Sequence, residues 1–292
     1  MSKLSQAVES GKFVVTSEIG PPKGVNIEKC LDEAEQLKER VTAFNVTDLQ
    51  SAVMRFGSLA TCRLLIERGM EPVLQMTCRD RNRLALQSDL LSAYGLGIRN
   101  VLCITGDHPK LGDHPQAKGV FDLDSVQLLA AAKTLQQGKD LAGNDLQGSP
   151  EFFLGAVVTP EAEPLQMQII KMKKKIDAGA QFFQTQAVYN AEKFKQFARQ
   201  VSDLNVPILA GLVILKSVGM ARFMNENVAG VNVPEELIDE LKKDKEKTKS
   251  GQAGIEIAVR TIKEIKDYCQ GVHLMPLGWD DKVPAILDGA GV

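Results

Sequence analysis

Eight short apolar runs, each followed by a stretch with helical spacing, recur along this 292-residue chain, and they constrain its fold more than any other feature. They predict strands at 13–17, 43–47, 72–77, 100–105, 152–158, 182–186, 206–212 and 272–275. Most are continuously apolar rather than alternating, which suits strands buried on both faces of a parallel sheet. Between them the spacing predicts helices over 27–40, 58–68, 83–94, 124–136, 165–178 and 191–201, with a short last one at 282–287. In the first of these, Ile27, Leu31, Ala34 and Leu37 recur at the interval that aligns side chains on one helix face. Gly69, Gly95 and Gly179 stand where left-handed helix caps are expected.

Strands that alternate with helices predict a parallel sheet joined by right-handed crossovers. Eight such units close into a barrel, and no G-x-G-x-x-G follows the first strand to argue for an open dinucleotide-binding sheet. The predicted fold class is therefore α/β, a (β/α)8 TIM barrel forming a single domain over 1–292. A long loop is expected at about 107–122 and a helical insertion at about 225–254. Within the insertion, Pro234 at a first helical position and Glu235 and Glu236 in the first turn predict a helix. The mixed-sign run at 242–249 reads as its solvated end.

Composition narrows the partners. A net charge of −2 offers no basic footprint for nucleic acid. The five cysteines never fall in C-x-x-C spacing, so no zinc site or iron–sulfur cluster is legible, and reduced buried thiols are expected. The first residues carry no apolar secretory core and no apolar run reaches membrane-spanning length, so the expected location is cytoplasmic.

The first strand delivers Glu18 into Ile19-Gly20-Pro21-Pro22. Prolines cannot donate to a strand ladder, so pairing stops there and the carboxylate is left at the strand's carboxyl end. In a (β/α)8 barrel that end carries the chemistry. The other strands end in polar residues too: Asn45, Thr47 and Asp48; Gln75, Thr77 and Asp80; Thr105, Gly106 and Asp107; Thr159 and Glu161; Gln184 and Gln186; Lys216 and Ser217. Two carboxylates from different strands, Glu18 and Asp107, can divide acid and counter-charge roles. Gln186 can donate and accept at once, which suits an amide-rich heterocycle. Gly106 allows a flat ring or a phosphate close to the backbone. These residues alone imply a barrel enzyme acting on a polar heterocycle.

The segments Ser17-Glu18-Ile19-Gly20-Pro21-Pro22, Asn45-Val46-Thr47, Gln75-Met76-Thr77-Cys78, Thr105-Gly106-Asp107, Lys175-Ile176-Asp177-Ala178-Gly179-Ala180 and Thr185-Gln186 together resemble the methylenetetrahydrofolate reductase family, in its anaerobe and acetogen form. The resemblance runs from Phe13 to about Pro276. It implies a flavin-containing barrel that reduces 5,10-methylenetetrahydrofolate to 5-methyltetrahydrofolate, in one-carbon metabolism and methionine biosynthesis. It implies Glu18 as the general acid at N10 of the folate. It also implies Asp107 as the acid beside the flavin, facing the cationic folate, and Gln186 as a folate ligand. Thr47, Gln75, Thr105, Gly106, Lys174 and Lys175 match flavin-lining positions. Gln75 stands for a histidine, Gln168 and Lys171 for acidic and asparagine positions, and Lys174 for an arginine, which leaves FMN open beside FAD. Electrons would come from NAD(P)H or from an electron-donating partner subunit, in a homo- or hetero-oligomer. Two other readings stay open: a pterin-binding barrel in non-redox methyl transfer, and a flavin subunit active only with its partner.

Overall fold

The computed structural model describes residues 1–247 and 251–292. The strands are β1 (Val14–Ile19), β2 (Ala43–Val46), β3 (Pro72–Thr77), β4 (Asn100–Ile104), β5 (Phe153–Val158), β6 (Phe182–Ala187), β7 (Ile208–Val213) and β8 (Gly271–Met275). All pair in parallel in chain order, and β8 closes onto β1 to complete the barrel. The helices are α1 (Lys3–Glu9), α2 (Glu28–Leu37), α3 (Ser58–Glu67), α4 (Arg83–Gly95), α5 (Ser125–Gln136), α6 (Leu165–Asp177), α7 (Ala191–Val201), α8 (Val218–Asn227), α9 (Glu235–Lys247), α10 (Gln252–Ile265) and α11 (Val283–Ala290). The (β/α)8 barrel expected from the sequence is the observed architecture.

Alternate residues of a strand share a face, and the inward columns change character as they rise. At the amino-terminal end Val14, Ala43, Val73, Leu102, Phe182 and Leu209 form an apolar plug, closed from below by Leu4 of α1. One step up, Thr16, Asn45, Gln184 and His273 make a polar layer, none more than 3% exposed. Asn45 and Gln184 exchange amide hydrogen bonds across the barrel at 2.7 and 3.0 Å. Thr16 Oγ1 meets His273 Nδ1 at 2.9 Å. The next step is the rim at the carboxyl-terminal mouth, with Glu18, Thr47, Gln75 and Gln186. The outward strand faces pack on the helices in the main core.

Several boundaries differ from expectation. β1 continues to Ile19, so Glu18 lies inside the strand rather than past its end. β4 stops at Ile104, which leaves Thr105 in the loop, and β7 starts later than expected, after left-handed Asn205. Gly69 and Gly179 do adopt positive φ, but Gly95 closes α4 as a helical residue and Gly97, at φ +93°, takes the left-handed turn instead. Helix α1, which the apolar periodicity did not announce, caps the barrel floor. The insertion contains α9 and is preceded by α8. These two helices share a second apolar cluster with α10, built on Met224, Val231, Leu237, Ile238 and Ile257. Residues 248–250, part of the expected insertion and of the mixed-sign run, lie outside the described residues.

The five cysteines are free and buried. Burial pushes the thiols of Cys30, Cys78 and Cys269 up to about 12. Among the described residues no helix is long and apolar enough to cross a membrane, and no cluster of metal-ligating side chains occurs.

Candidate active site

A cavity of about 730 Å3 opens at the carboxyl ends of the strands, within the size range of small-molecule sites. Glu18, Thr47, Gln75, Thr105, Gly106, Asp107, Lys174, Lys175 and Gln186 all line it. The topology therefore brings together every residue singled out as a site residue from the sequence.

Glu18 stands on the inner face of β1 with its side chain 10% exposed. Oε1 accepts a hydrogen bond from Gln50 Nε2 at 3.0 Å, and Oε2 lies 3.8 Å from His273 Nε2. Thr47 is nearly fully buried, and its backbone N–H and hydroxyl both turn to Ile19 O, at 3.1 and 3.4 Å. Gln75 and Gln186 present amides from β3 and β6.

Gly106 has φ +89°, and a Cβ there would fall 3.0 Å from Thr77 Cβ and 3.2 Å from Arg79 Cβ. The chain passes this close only because the residue has no side chain. Asp107 is exposed at the cavity rim. Its carbonyl accepts from Arg79 Nη1 at 3.4 Å, and its carboxylate has no hydrogen-bond partner among the described residues. Thr105 Oγ1 accepts from Ser125 N at 3.3 Å, which ties this rim to the start of α5.

The neighbouring wall, carried by the segment after β5, is basic. Helix α6 presents Gln168, Lys171, Lys174 and Lys175. Lys175 donates to Val157 O at 2.6 Å. Burial, reinforced by the charge of Lys171, pushes its ammonium down to about 8. A polar cavity bordered by the bare Gly106 backbone and by the lysines of α6 suits a flat heterocycle that ends in phosphate. The residues present thus fit a flavin nucleotide.

Some rim residues do not serve the cavity. Asp48 lines it, but its carboxylate accepts from Thr77 N and Oγ1, both at 2.9 Å, and from Arg81. Asp80 pairs with Arg79. Glu161 turns away to the backbone of Tyr189 and Asn190, and burial raises its carboxyl. Lys216 donates to Leu277 O, and Ser217 caps α8. Three contributors had no signal in the sequence: Gln50, Arg79, and His273 as a neighbour of Glu18.

The fold and site define a (β/α)8 barrel with a polar, ligand-sized cavity at the mouth where such barrels carry out chemistry. The methylenetetrahydrofolate reductase family model matches residues 3–291, and the chain belongs to that family. It is 28% identical over 312 residues to methylenetetrahydrofolate reductase 2 of Schizosaccharomyces pombe, covering 99% of this chain and 47% of that protein. It is 27% identical over 227 residues to 5,10-methylenetetrahydrofolate reductase of Salmonella typhimurium, covering 75% of this chain and 70% of that one. It spans about half the length of several curated relatives it matches. Among solved structures, an uncharacterised Clostridium thermocellum protein described as binding two copies of 5-methyl-5,6,7,8-tetrahydrofolic acid superposes with TM-score 0.66 at 18% identity. The match covers 99% of this chain and 98% of that one, a likeness of fold.

Proposed function

We propose that this barrel reduces 5,10-methylenetetrahydrofolate to 5-methyltetrahydrofolate with a bound flavin, FAD or FMN. The observation that carries the reading is the placing of Glu18, whose side chain is 10% exposed, in a cavity that is also lined by the lysines of α6. Lys174 and Lys175 would hold the flavin's phosphate end, while Thr47, Gln75, Thr105 and Gly106 would line its ring. When bound, the flavin would supply the hydride that the folate's methylene carbon accepts.

The chain's own residues do the rest. Glu18 protonates N10 as the bond from N10 to the methylene carbon breaks, which leaves a cationic N5 iminium on the folate. The unpaired carboxylate of Asp107 faces that cation as its counter-charge. Gln186 holds the pterin through an amide that both donates and accepts. One cavity for both reactants replaces a bimolecular encounter by a positioned one.

The test is the visible absorption spectrum of the purified protein, with the mass of any released cofactor. Flavin bands support the reading, and the mass separates FAD from FMN. A colourless protein that takes up neither would overturn it in favour of a pterin-binding barrel without redox chemistry. Anaerobic addition of NADH or NADPH then decides between direct pyridine-nucleotide input, which bleaches the bands, and an electron-donating partner subunit.

A further inference from the structure

We propose that Gln50 is a positioning residue for Glu18, held in place by a strained turn whose consequence is that one contact. The proposal rests on the reading of Glu18 as the acid.

Leu49, Ser51 and Ala52 have φ of 50°, 55° and 57°. Among the described residues only three other non-glycines, Phe121, Asn205 and Leu277, have positive φ. Half of the positive-φ non-glycine residues among those described thus fall within four consecutive positions. Such conformations cost energy and persist only where the surroundings over-determine them.

The surroundings here do so from three sides. The segment just after Glu18 binds the turn's flanks: Thr47 N donates to Ile19 O at 3.1 Å, Arg55 Nη1 to Pro21 O at 3.2 Å, and Phe56 N to Pro22 O at 2.8 Å. Arg79, buried at 2% exposure, donates from Nη2 to Leu49 O at 3.3 Å. From the loop after β4, Asp113 accepts from Met54 N at 3.0 Å, and Gly112 lies so close that a Cβ would meet Ala52 O at 1.8 Å.

What this holding delivers is the 3.0 Å bond from Gln50 Nε2 to Glu18 Oε1. It matters because Glu18 borders two spaces. One is the main cavity, and the other is a side pocket of about 360 Å3 that also reaches Gln50 and Arg55. Arg55 Nε is buried there with no partner. Other titratable groups around the acid are His273 from β8, Cys30 and Glu33 from α2, and Asp280. A carboxyl released by Gln50 is free to turn into the side pocket, toward Arg55, whose Nε alone lacks a partner. Gln50 fixes its rotation and keeps it on the reaction side.

The experiment compares wild type, Gln50→Leu and Glu18→Gln in the flavin-loaded protein. Expected for Gln50→Leu is a kcat for folate reduction lower by about 10-fold, with KM for the folate within about 2-fold. The Kd for 5-methyltetrahydrofolate, the rate of flavin reduction by dithionite and the Tm should stay at wild-type values. Wild-type kcat in Gln50→Leu alongside an inactive Glu18→Gln overturns the proposal. So does a loss of kcat that comes with an equal loss of Kd and Tm, since that marks a merely structural role. Wild-type turnover in Glu18→Gln instead overturns the reading of the acid itself. Gln50→Met, of similar length and without a donor, replaces Gln50→Leu if the latter does not fold, with the same expected and contrary results.

Discussion

His273 on β8 presents Nε2 3.8 Å from Glu18 Oε2, while its Nδ1 sits 2.9 Å from Thr16 Oγ1, one inward step below Glu18 on the same strand. The barrel's closing register produces this arrangement, because Thr16 pairs directly with His273. The carboxyl of Glu18 therefore tops a buried polar chain that runs through His273 and Thr16 to Gln184 and Asn45.

Replacing Glu18 with Gln removes the proton donor and keeps the shape. Folate reduction should fall by about 10²- to 10⁴-fold, the usual contribution of a positioned acid. Flavin content and folate binding should stay at wild-type levels. Rapid-mixing kinetics together with a binding titration checks both halves.

Gln184→Leu leaves the fully buried amide of Asn45 without its exchange partner. The expected cost is about 1–3 kcal/mol of stability, the penalty of one unsatisfied buried polar group. Denaturant unfolding of the two proteins measures it.

Lys175 sets a pH dependence. Its ammonium titrates at about 8 in the fold, below its ordinary 10.5, chiefly because it is buried. It is charged below that pH and neutral above it. A phosphate-bearing ligand should therefore bind more tightly at pH 7 than at pH 9.5, and Lys175→Met should flatten the difference. The stability sign is the opposite. The unfolded chain keeps this proton up to about 10.5, so the burial penalty is fully present below pH 8 and fades as pH rises through the window. FMN binding and urea unfolding across this range test the two signs.

Gly106→Ala places a Cβ 3.0 Å from Thr77 Cβ at φ +89°. Strain of about 1–3 kcal/mol should appear as lost stability. The backbone that carries Asp107 should also shift, so folate turnover falls beyond what the stability loss explains. Thermal unfolding and steady-state rates separate the two effects.

The sequence made the barrel legible because its outward faces are so uniformly apolar and its connections so regular. Glu18, Asp107 and Gln186 stood out as polar residues at strand ends. Gln50 did not, since its approach to Glu18 depends on left-handed backbone at Leu49, Ser51 and Ala52, residue types that announce no such turn. His273 could be placed on β8 but not beside Glu18, because the β1–β8 register is settled by closure rather than by any local pattern. Glu161 misled for the converse reason: a polar residue after a strand can turn from the mouth to cap a neighbouring loop, as it does on Tyr189 and Asn190. Gly95 and Gly97 show how two glycines near a helix end leave the choice of cap to the packing.

Hydride transfer from flavin to folate is read out by mixing the flavin-loaded, dithionite-reduced protein anaerobically with 5,10-methylenetetrahydrofolate, following the flavin band and assaying the folate product. In the wild type the flavin should reoxidise as 5-methyltetrahydrofolate forms, and both should be lost in Glu18→Gln. A reduced flavin that stays reduced, or equal reoxidation in the two proteins, would contradict it.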